Sequence, residues 1–155
     1  MNPALGREHA LAIHPAVQAR HILVIGAGPA GMEAARVAAL RGHQVTLCDA
    51  APRLGGRLWL AAMIKGAEVE DVQPLLHYLT RQVQRGAGIE IRLNQSMSVE
   101  AVAALKPDAV VVATGGNYAL PDIPGIQRWN VRGSSHWRVW RPGRCACLVR
   151  ICLIG

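Results

Sequence analysis

Apolar residues along the first three quarters of the chain recur with two different periods. Short apolar runs of strand length alternate with longer segments in which apolar positions have helical spacing. The runs predict strands over four segments: 21–26, 44–49, 88–93 and 108–116. The helical spacing predicts three helices: 29–41, 71–86 and 98–106. Strands that alternate with helices favour an α/β fold in which helices pack on a mostly parallel sheet.

The segment 51–66, APRLGGRLWLAAMIKG, separates the second strand from the next helix. It contains three strong breakers of regular structure, Pro52, Gly55 and Gly56, and we predict a loop over its whole length.

Composition agrees with a globular domain. The chain has 155 residues, of which 51% are hydrophobic and 17% are charged, as in folded rather than disordered chains. No apolar run approaches the ~18 residues that a membrane span needs. The first twenty residues lack the apolar core of a signal peptide, so we expect a cytoplasmic protein.

The net charge of +7 is concentrated at one end. Residues 123–155 contain six Arg and no acidic residue, so residues 1–122 carry a balance of only +1. A basic tail without a known reading motif does not predict nucleic-acid binding.

Three of the four Cys lie in this basic tail, at Cys145, Cys147 and Cys152. Their C-x-C-x4-C spacing differs from the paired C-x2-C units of most zinc sites, so we predict no metal site. Cys48 falls in a predicted strand and is expected to be a small buried apolar residue.

A G-x-G-x-x-G motif stands between the first strand and the first helix. Gly26 permits a tight turn, Gly28 lets the backbone approach a pyrophosphate, and Gly31 lets the helix pack close to the strand. Pro29 occupies the first helical position, and the free backbone N–H groups around Ala30 and Gly31 would face the phosphates. The sequence therefore predicts a dinucleotide site, against the alternative of a glycine turn without a ligand.

Asp49 ends the second strand, where a carboxylate can accept hydrogen bonds from the 2′- and 3′-hydroxyls of a ribose. The same carboxylate would repel a 2′-phosphate. We therefore expect FAD, NAD or ADP rather than NADP, unless Asp49 is only a solvated acid at the end of a strand.

Two further stretches resemble the FAD-binding half of flavoproteins that contain two dinucleotide-binding domains. They are PRLGGRL (52–58) and VVVATGG (110–116). The resemblance adds five residues to the FAD site: Arg53, Gly56, Arg57, Thr114 and Gly115. It also places a backbone contact to adenine at Met97. Read from the residues alone, Arg53 and Arg57 could equally be solvated loop charges.

The order NPALGRE, ILVIGAGPAGMEAARVAALRGHQVTL, APRLGG, LKPDAVVVATGG and IPGI is similar to one group of flavoenzymes, the 2,4-dienoyl-CoA reductase/trimethylamine dehydrogenase family. The resemblance covers about residues 2–126. It implies a Rossmann-like FAD/NAD(P)-binding domain, here incomplete. It also implies a preceding barrel with FMN and a cysteine-ligated iron–sulfur cluster, neither of which this chain could form. The sequence leaves open whether a separate barrel/iron–sulfur chain supplies them or whether this chain is a gene fragment or a frameshifted product.

This resemblance predicts a lead-in segment over 1–19, a FAD-binding domain over 20–126 and a divergent basic tail over 127–155. The tail ends in RICLIG (150–155), which resembles the strand that opens a second dinucleotide-binding domain. The chain looks like part of an oxidoreductase that relays electrons between nicotinamide, FAD and a missing iron–sulfur/FMN module.

No residue is a credible proton donor or nucleophile, so we expect the isolated chain not to be catalytically competent. A truncated nucleotide-binding module or adaptor, or a small NAD-binding protein, remains as the alternative interpretation.

Overall fold

A computed structural model describes residues 5–64, 72–116, 124 and 150–153, with the backbone alone for 62–64 and 150–153. The first β-α-β unit consists of β1 (His21–Ile25), α1 (Pro29–Leu40) and β2 (Gln44–Cys48). Six elements follow: α2 (Leu58–Ile64), α3 (Val72–Arg85), β3 (Ile89–Arg92), α4 (Val99–Leu105), β4 (Ala109–Val112) and β5 (Arg150–Leu153). None of the helices described is long and apolar enough to cross a membrane.

The strands form one five-stranded sheet in the order β3-β2-β1-β4-β5. The pairs β3–β2, β2–β1 and β1–β4 are parallel, and β5 pairs antiparallel with β4. This arrangement confirms the predicted α/β fold with a mostly parallel sheet. The carboxyl ends of β1, β2 and β4 consequently meet at one edge, where open α/β sheets bind their ligands.

The core lies mainly between the sheet and the helices α1 and α3. Val24 and Leu47 from the sheet are fully buried together with Met32 and Ala35 from α1. α3 contributes a buried stripe at helical spacing: Leu76, Leu79 and Val83. On the other face of the sheet, a smaller cluster around Leu23, Cys48 and Val110 packs against α4 and its flanking residues.

The predicted loop over 51–66 is wrong for its second half. The breakers Pro52, Gly55 and Gly56 all precede Leu58, and the stretch LWLAAMI that follows contains no breaker and forms α2. At the start of α2, Leu58 N–H donates a hydrogen bond to the Gly55 carbonyl oxygen at 3.0 Å. Within the described part of this segment, the loop is therefore confined to residues 51–57, and residues 65–66 lie outside the described residues.

The predicted ends of two helices are confirmed. Ser98 caps α4, because its hydroxyl accepts a hydrogen bond from Ala101 N–H at 3.3 Å. Gly42 follows the end of α1 with φ +90°, a conformation that favours glycine. The short connection to β2 depends on that turn.

The contacts divide the chain into two compact units, Met1–Thr114 with Val149–Gly155, and Gly115–Leu148. Every strand and helix described above belongs to the first unit. The described part of the second unit is limited to Gly115, Gly116 and Pro124. Within the predicted tail over 127–155, residues 150–153 form β5 in the same sheet as β1–β4, and 127–149 lie outside the described residues, as do the side chains of Cys145, Cys147 and Cys152. The division into lead-in, FAD domain and tail stays a prediction.

Candidate nucleotide site

Gly26 directly follows β1, in a conformation and a position that only glycine accepts. Its φ is +107°, and a Cβ built there would lie 2.4 Å from the carbonyl oxygen of Ala113. Its N–H donates to the Cys48 carbonyl oxygen at 2.7 Å, and Ala113 N–H donates to the Ile25 carbonyl oxygen at 2.7 Å. The glycine turn is therefore held between the ends of β2 and β4.

Gly31 sits in the first turn of α1, directly over the preceding strand. A Cβ at this position would lie 1.8 Å from the carbonyl oxygen of Gly26, far inside van der Waals contact. The absent side chain thus sets the short distance between helix and turn, as the motif predicts.

Gly28 differs from both of its neighbours in the motif. Its backbone is extended, with φ −72° and ψ −179°, so any residue could adopt it. A Cβ built there meets no described atom within 4 Å. Neither conformation nor packing within the described chain accounts for a glycine at this position, and the open space is where a ligand would approach.

The N-terminus of α1 presents backbone donors next to Gly28. Pro29 is the first helical residue, and no side chain caps the helix. The N–H groups of Ala30 and Gly31 belong to the first turn, which has no carbonyl partner inside the helix, and the first helical bond comes from Met32 N–H to the Gly28 carbonyl oxygen at 2.9 Å. Such an uncapped end favours an anion such as a pyrophosphate.

Asp49 lies beside the glycine turn. One carboxylate oxygen, Oδ2, accepts a hydrogen bond from Ala27 N–H at 2.5 Å. The other, Oδ1, accepts one from Ala51 N–H at 2.7 Å. The carboxylate is only partly buried, and each of its oxygens can accept a further bond, so it can still receive hydroxyl donors from a ribose.

The loop that precedes α2 contacts the glycine turn through its backbone. Gly55 N–H donates to the Ala27 carbonyl oxygen at 2.8 Å. A Cβ on Gly56 would lie 3.0 Å from the Cα of Gly28, and both Gly55 and Gly56 have positive φ. The structure therefore brings together two glycine-containing stretches that are separate in the sequence.

Arg53 is held by an aromatic residue that the sequence analysis did not assign to the site. Its guanidinium carbon lies 4.7 Å from the centroid of the Trp59 ring, close enough for a cation–π interaction. The indole N–H of Trp59 donates to the Leu54 carbonyl oxygen at 2.7 Å. An Arg six residues before a Trp is too common a pairing to have identified this contact from sequence. Arg57 is exposed in the same loop.

The remaining predicted residues are less closely tied to the turn. The side chain of Met97 packs against the apolar cluster under α4, which leaves its backbone as the candidate contact to adenine. The preceding Gln95 N–H donates to the Asp49 carbonyl oxygen at 2.9 Å. Thr114 is exposed directly after Ala113, and Gly115, in the second unit, has φ +77°.

The described residues contain no cluster of His, Cys, Asp or Glu able to hold a metal ion. Burial raises the pKa of the Cys48 thiol above its usual value. Cys48 is thus a buried neutral thiol rather than a nucleophile.

Together these features define a Rossmann-like dinucleotide-binding domain: a parallel sheet, a glycine turn at its carboxyl edge, an uncapped helix and an acid at the end of the second strand. The family profile described as pyridine nucleotide-disulphide oxidoreductase matches residues 20–143. The chain belongs to this family.

Relatives and solved structures narrow the assignment. The chain is 37% identical to the NADH oxidase of Thermoanaerobacter brockii over 140 residues, which cover 90% of this chain and 21% of that protein. It is 42% identical to the metal reductase of Desulforamulus reducens, with 84% of this chain and 21% of that protein covered. The structure of 2-naphthoyl-CoA reductase in complex with 2-naphthoyl-CoA matches with a TM-score of 0.74 and 38% identity, over 83% of this chain and 19% of that one.

These comparisons confirm the resemblance to the NADH:flavin oxidoreductases. The chain corresponds to the FAD-binding part of flavin-dependent oxidoreductases, and it spans about a fifth of the length of these relatives.

Proposed function

We propose that the carboxyl edge of the sheet binds the ADP half of FAD. Gly26 and Gly31 shape the turn, and the N–H groups of Ala30 and Gly31 hold the pyrophosphate. Asp49 accepts hydrogen bonds from the ribose hydroxyls. Five further residues complete the proposed site around the cofactor: Arg53, Gly56, Arg57, Thr114 and Gly115. The backbone of Met97 contacts the adenine.

The observation that carries this proposal is the empty space at Gly28. Glycine costs conformational entropy on folding, so its presence normally reflects a positive φ or a close contact. Gly28 has neither, since its φ is −72° and a Cβ there meets no described atom within 4 Å. The adjacent helix end offers donors without a side-chain cap. A bound pyrophosphate accounts for both facts.

The test is Gly28→Val. The branched side chain would occupy the space in which the pyrophosphate lies, and the extended backbone accepts valine without strain. We expect the affinity for FAD and for ADP to fall more than tenfold, at least ~1.4 kcal/mol, with little change in the unfolding midpoint. Isothermal titration calorimetry measures the affinity, and circular dichroism measures the midpoint.

Ala104→Val is the matched control, because Ala104 is exposed on α4 and also gains a branched side chain. It should bind both ligands as the native chain does. If Gly28→Val binds FAD and ADP with native affinity while remaining folded, the assignment of the pyrophosphate to this turn is wrong.

In a longer protein, the site would belong to an electron relay. When bound there, FAD would supply the hydride and electron transfer of that relay, and the residues described here would bind and orient it. We propose that the FMN and the iron–sulfur cluster of such enzymes reside in a barrel module supplied by other sequence. The isolated chain would then bind a nucleotide without turning over a substrate.

The remaining proposals concern boundaries and surroundings. We propose a FAD-binding domain over 20–126 between a lead-in over 1–19 and a basic tail over 127–155. The nearly neutral charge of residues 1–122 supports a protein that does not bind nucleic acid. We also propose that it functions in the cytoplasm.

A further inference from the structure

The peptide groups of Ala27 are held on both sides by residues distant in sequence. Its N–H donates to Asp49 Oδ2, and its carbonyl oxygen accepts from Gly55 N–H. We infer that Asp49 is a positioning residue for the glycine turn, in addition to the ribose contact given to it above. This inference rests on the proposed function, because the turn is positioned for a pyrophosphate.

Ala27 depends on this acceptor. The residue is fully buried, and a buried N–H without a hydrogen-bond partner is strongly disfavoured. It stands between Gly26 and Gly28, two residues without side chains that could restrict the backbone. Without the carboxylate, the turn could rotate its N–H toward another acceptor or toward water, and the N-terminus of α1 would shift with it.

Asp49 is itself fixed in place. Ala51 N–H donates to Oδ1 and sets the orientation of the carboxylate. Its own N–H donates to the Arg92 carbonyl oxygen at 3.0 Å, and its carbonyl oxygen accepts from Gln95 N–H at 2.9 Å. Because these hydrogen bonds hold Asp49 at the ends of β2 and β3, its bond to Ala27 N–H fixes the position of the glycine turn relative to those two strands.

The two roles of Asp49 predict different ligand dependences. A ribose contact alone matters only for ligands that have 2′- and 3′-hydroxyls. A positioned turn matters for every ligand that carries the diphosphate. Loss of a negative charge near a diphosphate would by itself strengthen binding. If a variant without the Asp49 carboxylate binds a ligand that lacks the hydroxyls more weakly, the loss therefore comes from a displaced turn and not from the change in charge.

The experiment titrates ADP and 2′,3′-dideoxy-ADP into the full chain and into Asp49→Ala. We expect dideoxy-ADP to bind at least tenfold more weakly to the variant than to the native chain. Asp49→Asn should recover part of this loss, since its carbonyl oxygen can still accept from Ala27 N–H. Dideoxy-ADP affinity unchanged within twofold in Asp49→Ala would overturn the inference and leave only the ribose contact.

A second readout needs no ligand. Amide hydrogen exchange at Ala27 should become at least tenfold faster in Asp49→Ala and should accelerate less in Asp49→Asn, measured relative to Val24 in β1 so that global opening is subtracted. Equal exchange rates at Ala27 in the native chain and in Asp49→Ala would overturn the inference even if the variant binds ADP weakly.

Asp108→Ala is the matched control. Its carboxylate also accepts a backbone hydrogen bond, from His21 N–H at 2.7 Å, but at the opposite edge of the sheet. It should accelerate exchange at His21 and leave both Ala27 and ADP affinity unchanged. If the native chain binds no ADP while Ala27 exchange still responds to Asp49, the proposed function fails and the positioning role stands.

Discussion

The two edges of the parallel sheet are built in different ways. At the carboxyl edge, backbone packs against backbone: a Cβ on Gly26 or on Gly31 would lie 2.4 Å or less from a backbone carbonyl oxygen. At the amino edge, side chains make the connections. His21 Nε2 and Thr46 Oγ1 lie 2.9 Å apart, and the Asp108 carboxylate accepts from His21 N–H.

The amino edge also has an opening, a wide cleft of about 320 Å³ lined by the starts of β1, β2 and β3. Among the described residues, the glycine turns at this edge, at Gly42 and Gly88, follow the C-terminal ends of α1 and α3, and no helix N-terminus lies beside them. The difference between the two edges is therefore one of chemistry. The proposed nucleotide site is the edge where a helix N-terminus offers backbone donors without a side-chain cap, and a cleft at the other edge does not offer them.

The largest expected effect comes from Gly31→Ala. The new Cβ would overlap the Gly26 carbonyl oxygen, so α1 must move away from the turn, at a cost of ~3 kcal/mol, the upper end of ordinary overpacking. Denaturant unfolding measures the loss. Gly28→Ala is the matched control, because the same methyl group meets open space, and its stability should stay within about 0.5 kcal/mol of native. Equal losses in the two variants would remove the distinction between packing glycines and the ligand-facing glycine.

The sequence predicted this edge well because its constraints are local. The apolar run of β1, the glycine spacing and Pro29 all lie within a dozen or so consecutive residues, and Gly26 and Gly31 have the close backbone contacts that the motif predicts. Thr46 and Asp108 show the opposite case. Their hydrogen-bond partners lie far along the chain, so no spacing rule could have assigned them.

Two further features were outside the reach of sequence patterns. The sequence analysis predicts a loop in place of the helix α2 because Gly55 and Gly56, which disfavour regular structure, lie just before Leu58. Their effect does not extend into the seven residues that follow. The contact of Arg53 with Trp59 depends on how that helix returns to the loop. The missed helix and the missed contact both lie in the segment 51–64, where a loop passes directly into a helix.

The smallest expected effect is at the amino edge. Thr46→Val keeps the shape of this buried side chain and removes its hydrogen bond to His21, at a cost of ~1 kcal/mol. Affinity for FAD and ADP should not change, because the Thr46 hydroxyl contacts His21 at the start of β1, whereas the glycine turn follows the end of that strand. Thermal unfolding and calorimetry measure the two quantities. A tenfold loss of ADP affinity in this variant would contradict the assignment of function to one edge.

The central claim is that the carboxyl edge takes the ADP half of FAD, with Asp49 at the ribose. Calorimetric titration of the native chain with FAD, ADP, NAD and NADP tests it most directly. We predict that FAD and ADP bind most tightly, NAD more weakly, and NADP most weakly, because its 2′-phosphate would meet the Asp49 carboxylate. NADP bound more tightly than FAD and ADP would contradict both the role of Asp49 and the assignment of the site to FAD.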